Sequence, residues 1–126
     1  MKAAYVDTSC LVAIAFRESG SARMASRLKG YEVILASGLV EAELKAALLR
    51  EGLSGGTADF LPDLDWVYPD RPLGPEIDRV LATGYVKGAD AWHLACALFV
   101  SPDGAELHFE TLDAQQRSVA RGLGFR

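Results

Sequence analysis

Ala3-Ala4-Tyr5-Val6-Asp7-Thr8-Ser9-Cys10-Leu11-Val12-Ala13-Ile14-Ala15-Phe16 opens the chain. Ala3 to Val6 reads as a short buried strand. Cys10 to Phe16 has the apolar spacing of a helix, with Thr8 or Ser9 available as its N-cap. Asp7 stands at the junction, where the end of a strand meets the start of a helix. A strand that passes directly into a helix is the opening unit of an α/β protein, so the rest of the chain is read for its repetition.

The repetition is there. Ser21 to Leu28 predicts a second helix ending at Gly30, a common C-terminal signal, and Glu32 to Ala36 is again strand-like. Ser37 is placed to cap a longer helix through Leu39, Val40, Leu44, Ala47 and Leu48, stopped by Gly52, Gly55 and Gly56. Thr57 to Leu64 is expected to be helical, Trp66 to Tyr68 a strand, and Pro69-Asp70-Arg71-Pro72 a loop. Pro75 to Tyr85 and Ala89 to Val100 read as helices, Leu107 to Phe109 as a strand, Ala114 to Arg121 as a closing helix, and Phe125 as the start of a last strand. Parallel neighbours need a crossover, normally a helix. The expected class is therefore α/β, a three-layer α/β/α sandwich around a parallel sheet of about five strands. At 126 residues, half of them apolar, the chain is expected to form one domain over residues 1–126.

Composition narrows the function classes. The formal net charge is -4, against a chain coated in basic residues, although a local basic rim is compatible with that total. Asp7 interrupts the apolar start and Arg17-Glu18 closes it without a small-residue cleavage pattern, which argues against a signal peptide. No stretch approaches the roughly 20 apolar residues of a membrane-spanning helix. A soluble, cytoplasmic protein with no membrane partner is expected. Cys10 and Cys96 lie far apart, each among apolar residues, and read as buried, reduced thiols.

Ligands in open parallel sheets bind outside the carboxyl ends of the strands, where strand order reverses. Asp7 ends the first strand, and Asp113 follows Leu107 to Phe109 with Thr111 two residues before it. Asp90 opens the helix after Ala89. Glu43 lies inside a helix. At about 100° per residue, Ala36, Leu39, Val40, Ala46 and Ala47 fall on its side, while Glu41 and Lys45 share the other, spaced i,i+4 as a solvated ion pair. Glu43 is therefore expected to point inward, where an unpaired carboxylate is costly. A cation shared among Asp7, Glu43, Asp90 and Asp113 would offset that cost. All-oxygen donors suit Mg2+ or Mn2+ rather than Zn2+, and such an ion assists hydrolysis of a phosphodiester. Each acid also has a simpler reading: Asp113 as a helix cap with Gln116 as its capping-box partner, Asp90 as an N-cap, Asp7 as a turn residue ahead of a capping Thr8, and Glu43 as the partner of Arg50 or another arginine. Only the four together favour a catalytic centre.

Val6-Asp7-Thr8-Ser9, Val40-Glu41-Ala42-Glu43-Leu44 with Ala47-Leu48, Ala89-Asp90-Ala91-Trp92-His93-Leu94-Ala95 and Phe109-Glu110-Thr111-Leu112-Asp113 resemble, in order and spacing, the motifs of the PIN-domain family. They look most like its VapC-type toxins, and the resemblance spans nearly the whole chain. It implies a five-stranded parallel sheet, an acidic Mg2+ or Mn2+ site and endonucleolytic cleavage of RNA. Asp7, Glu43, Asp90 and Asp113 would be catalytic, as metal ligands or by orienting the attacking water, with Ser9 and Thr111 as supporting hydrogen-bonders. A homodimer and a small VapB-type antitoxin that silences the active-site groove are the implied partners. Some relatives carry a further acid shortly after the last Asp. Gln115, Gln116 and Arg117 stand there instead, which leaves a second metal to weak binding or to the substrate.

Other residues have bland default readings. His93, a turn after Asp90, reads as a partly buried, hydrogen-bonded histidine rather than a member of the site, and Trp92 as core or dimer contact. Arg117, Arg121 and Arg126, like Arg23 and Arg27, read as solvated helix faces before phosphate holders. Two rivals differ in class: a PIN-like binding or assembly module that has lost catalysis, and a Mg2+-dependent phosphoryl-transfer protein, receiver-like or phosphatase. The phosphatase pattern wants an Asp where Ser9 stands, and a receiver wants an acidic pair where only Asp7 is found.

Overall fold

A computed structural model describes residues 2–52 and 63–126. The elements run β1 (Ala3–Val6), α1 (Thr8–Ala15), α2 (Ser21–Leu28), β2 (Val33–Ser37), α3 (Gly38–Arg50), β3 (Asp65–Val67), α4 (Gly74–Thr83), α5 (Gly88–Val100), β4 (Leu107–Glu110) and α6 (Ala114–Gly122). The class is α/β. The expected helix from Thr57 to Leu64 lies, but for its last two residues, outside the described residues, and Asp63 and Leu64 are not helical.

Among the described residues the sheet has four strands rather than about five, all parallel, in the order β3-β2-β1-β4. Phe125 does not start a strand. Its ring is buried 5.9 Å from that of Phe109, and only the Arg126 carbonyl pairs with the sheet, accepting from the Phe109 amide at 2.9 Å. Gly104 and Gly124 explain why the chain arrives there. Both have positive φ, and a Cβ on Gly124 would sit 2.6 Å from the Asp103 carbonyl oxygen, so close backbone approach and left-handed geometry both demand glycine.

Side chains alternate across the sheet as the pleat requires. Tyr5, Leu107, Phe109 and Val67 point to the face covered by α4, α5 and α6. Val6, Ile34 and Ala36 point to the face covered by α1, α2 and α3. Tyr5 is fully buried and stacks on Phe109 at 5.5 Å; burial of each such ring stabilises by about 1.5–3 kcal/mol. α5 is apolar almost all round, and seven of its residues from Ala91 to Leu98 are buried, as expected of a helix enclosed in the interior. Cys10 and Cys96 are free and buried; burial pushes the Cys96 thiol up to about 12, so both behave as apolar packing groups.

This strand order sets the site. The chain lays β1, then β2, then β3 outward in one direction and returns to place β4 on the other side of β1. The order reverses between β1 and β4, so the crevice belongs beyond their carboxyl ends. Asp7 follows β1, and Thr111 and Asp113 follow β4.

Candidate active site

Asp7 is 3% exposed and held from several directions. Its Oδ1 accepts from the Ser9 hydroxyl at 2.6 Å and from the Cys10 amide at 3.4 Å, and its Oδ2 accepts from the Thr111 hydroxyl at 2.5 Å. Asp7 is itself the N-cap of α1; Thr8, expected to be a cap, is the first helical residue. That shift frees the Thr8 hydroxyl to donate to Glu43 Oε1 at 2.8 Å. The Ser9 hydroxyl also accepts from the Leu112 amide at 3.1 Å, and that of Thr111 from the Asp113 amide at 3.0 Å. β1 and β4 are thus latched together at the crevice.

Glu43 differs from expectation in degree. The buried line of α3 is Val40, Leu44 and Leu48, and Ala46 is exposed. Glu43 sits at the edge of that line with 37% of its side chain exposed, so it faces the crevice rather than the core. Arg50 pairs with Glu51 instead. The partner of Glu43 is His93, whose Nε2 lies 3.0 Å from Oε1. Its Nδ1 lies 3.0 Å from the Tyr5 hydroxyl. A carboxylate accepts only, so Nε2 carries a proton toward Glu43; in the neutral ring Nδ1 then accepts from Tyr5. His93 is 2% exposed; it is the buried, hydrogen-bonded histidine the sequence suggested, and it also reaches the acids. Its position three residues after Asp90, on one helix face, was the available signal.

Asp90 is not an N-cap. Lys87 holds that position and Asp90 lies in the first turn of α5, its carboxylate without a hydrogen bond among the described residues. Burial pushes its pKa up, the charges of Asp113 and Asp7 add to the rise, His93 opposes it, and Glu43 adds the least. Asp90 therefore lies within electrostatic reach of acids from three other segments. Asp113 caps α6, its Oδ1 accepting from the Gln116 amide at 2.7 Å. Gln116 does not complete a capping box. Its side chain, wholly buried, donates to the Asp90 carbonyl at 3.3 Å and lies 3.1 Å from the Thr111 hydroxyl, which ties α5 to α6 and fixes the distance between the two acids.

Helix starts explain how so much negative charge is tolerated. Asp7, Asp90 and Asp113 stand at the N-termini of α1, α5 and α6, where unpaired amides and the helix dipole favour anions by about 0.3–1 kcal/mol each. Fit to a cation follows from the same geometry. Among the described residues no three His, Cys, Asp or Glu side chains stand close enough to bind one ion directly. A hydrated Mg2+ or Mn2+, which keeps several waters and needs only one or two carboxylates, would suit this all-oxygen donor set. Asp7 retains a lone pair on Oδ2, and the carboxylate of Asp90 retains all of its own.

Fold and site together define a three-layer α/β protein with an acidic crevice at the switch point of a parallel sheet. The chain belongs to the PIN domain family, whose sequence pattern matches residues 4–122; these proteins are typically metal-dependent nucleases that use Mg2+ or Mn2+. No curated protein matches the chain. Among the described residues no helix is long and apolar enough to cross a membrane.

Proposed function

We propose that this protein is an Mg2+- or Mn2+-dependent endoribonuclease, acting as the toxin of a VapBC-type toxin-antitoxin pair. The observation that supports the reading is the hydrogen-bond linkage at the ends of β1 and β4: Thr111 joins Asp7 to the Asp113 amide, Thr8 beside Asp7 binds Glu43, and Gln116 beside Thr111 binds the Asp90 carbonyl. A bound divalent ion would supply neutralisation of the charge that builds on the phosphate during in-line attack and a more acidic water. Asp7, locked by Ser9, Thr111 and the α1 amide, and Asp90, whose carboxylate has no donor among the described residues, are the residues to hold the ion. Glu43 Oε1 is taken by Thr8 and His93, which leaves Oε2 to orient the attacking water and accept its proton. Asp113 keeps Oδ2 for the same water network. The toxin assignment, the RNA substrate, the homodimer and the VapB-type antitoxin rest on the likeness of the four motifs to VapC-type toxins.

The test is cleavage of total RNA by purified protein with Mg2+, Mn2+ or excess chelator, with Asp7→Asn beside wild type. Asparagine still caps a helix, so α1 survives the change. Metal-dependent cutting by wild type, absent in the variant, is the expected result. Cutting by both would place the activity in a contaminant or outside this crevice, and an absence of both cutting and metal binding would favour a binding module.

A further inference from the structure

Beside the acids, along the outer edge of β4, lies a cleft of about 410 Å³ walled by α2, α6 and the C-terminal residue. Five of its lining residues are arginines: Arg23 and Arg27 from α2, Arg117 and Arg121 from α6, and Arg126. They are a large share of the 13 lysines and arginines in a chain of net charge -4, so the local sign is opposite to the global one. The carboxylate in the cleft wall, Glu110, is 4% exposed and engaged internally. It accepts from Arg27 at 2.8 Å and from the Tyr31 hydroxyl at 2.7 Å, which holds Arg27 upright with 58% of its side chain exposed. Arg117 is braced on the Thr111 carbonyl at 2.8 Å. Arg23, Arg117, Arg121 and Arg126 form no ion pair among the described residues. Like charges gathered without acidic partners repel one another, and an arrangement that keeps them together awaits an anion.

Thr111 and Leu112 belong to both places. They line the arginine cleft, while the Thr111 hydroxyl binds Asp7 and the Leu112 amide binds Ser9. The cleft and the acidic site therefore share this two-residue segment. Guanidinium groups spread over two helices and a terminus suit an extended chain of phosphates rather than a single point anion.

We propose that this cleft holds the phosphodiester backbone of single-stranded RNA immediately beside the bond being cut. The identity of the ligand rests on the nuclease reading. The arginines compensate for the acidic crevice, which by itself repels a polyanion, and deliver the backbone past Thr111 to Asp7.

The experiment reads binding and cleavage separately. In excess chelator, fluorescence anisotropy of a labelled oligouridylate 12-mer is titrated with wild type, Arg23→Ser/Arg121→Ser, and a control that removes the same charge elsewhere, Lys45→Ser/Arg50→Ser on α3. The expected result is at least a tenfold loss of affinity in the arginine variant, a salt slope shallower by about 1.4 from two lost phosphate contacts, and an unchanged control. Equal weakening in both variants, or no binding by wild type, overturns the proposal. So does RNA binding indifferent to the arginines alongside arginine-dependent binding of an oligoglutamate 12-mer, which reassigns the cleft to an acidic protein segment. With Mn2+ added, the arginine variant is expected to raise KM about tenfold at unchanged kcat. Cleavage with unaltered KM overturns the cleft and keeps the nuclease; arginine-dependent binding with no metal-dependent cleavage keeps the cleft and overturns the nuclease.

Discussion

Glu41 and Glu43 stand two residues apart on α3 and meet different surroundings. Glu41 pairs with Lys45 at 3.2 Å on the surface, an exposed i,i+4 bridge of about 0.3–0.5 kcal/mol. Glu43 turns into the crevice against Thr8 and His93. Glu41→Gln is expected to leave RNA cleavage unchanged, and Glu43→Gln to lower kcat by about 10²-fold or more; equal effects in a single-turnover assay would refute the difference in role. At the far end of β4, His108 lies beside Lys2 and Arg126, and its pKa is lowered by burial first and by those cations next. The unfolded chain then binds the proton more readily than the folded one. The stability contributed by the neutral ring is full above about 6.5 and is lost as pH falls through that value toward the folded pKa. Denaturant midpoints between pH 5 and 7.5 are expected to vary less in His108→Gln than in wild type.

Three helices begin at the crevice, and each has an Asp at its start: Asp7 and Asp113 as N-caps, Asp90 within the first turn. Local helix chemistry and catalysis therefore compete to explain the same residues, and substitution can separate them at α6. Asp113→Asn keeps an N-cap and removes a charge, whereas Asp113→Ala removes both. The amide variant is expected to lose cleavage at near wild-type stability, and the alanine variant to lose cleavage together with about 1 kcal/mol, read from urea denaturation. If Asp113→Asn cleaves normally while Asp113→Ala is merely less stable, Asp113 is a cap and nothing more. Asp90 has no such double role, since Lys87 occupies the cap position.

Across the whole molecule, two apolar layers hold a sheet whose carboxyl edge gathers acids and whose outer edge gathers arginines. A ligand that binds only the folded form stabilises it by mass action, about 2.7 kcal/mol at a hundredfold excess over Kd. Mn2+ is therefore expected to raise Tm in wild type and much less in Asp90→Asn, measured by thermal unfolding against a chelator control. A Tm indifferent to Mn2+ would argue that these carboxylates hold no ion. The two-edged charge layout also accounts for a net charge of -4 in a protein proposed to grip RNA: the total averages over surfaces that act separately.

Local patterning was enough for the α/β alternation, the six helices of the described residues and the edge placement of Asp7 and Asp113, because helix period, strand alternation and glycine stops act over a few residues. The four motifs resembling PIN domains were legible for the same reason. Phe125 misled, since a buried aromatic after a glycine reads like a strand start, while the close approach of Gly104 and Gly124 that ends the chain against β4 joins segments about twenty residues apart. Other outcomes depended on contacts no window could contain. His93 meets Tyr5 and Glu43 across 88 and 50 residues; Thr111 meets Asp7 across 104; and the arginines of α2 and α6 become one cleft only because β4 inserts beside β1. Sequence determined which side chains carry charge and which elements present them. Tertiary structure decided which of those charges face one another, because strand order, set by packing of the whole chain, determines where distant segments converge.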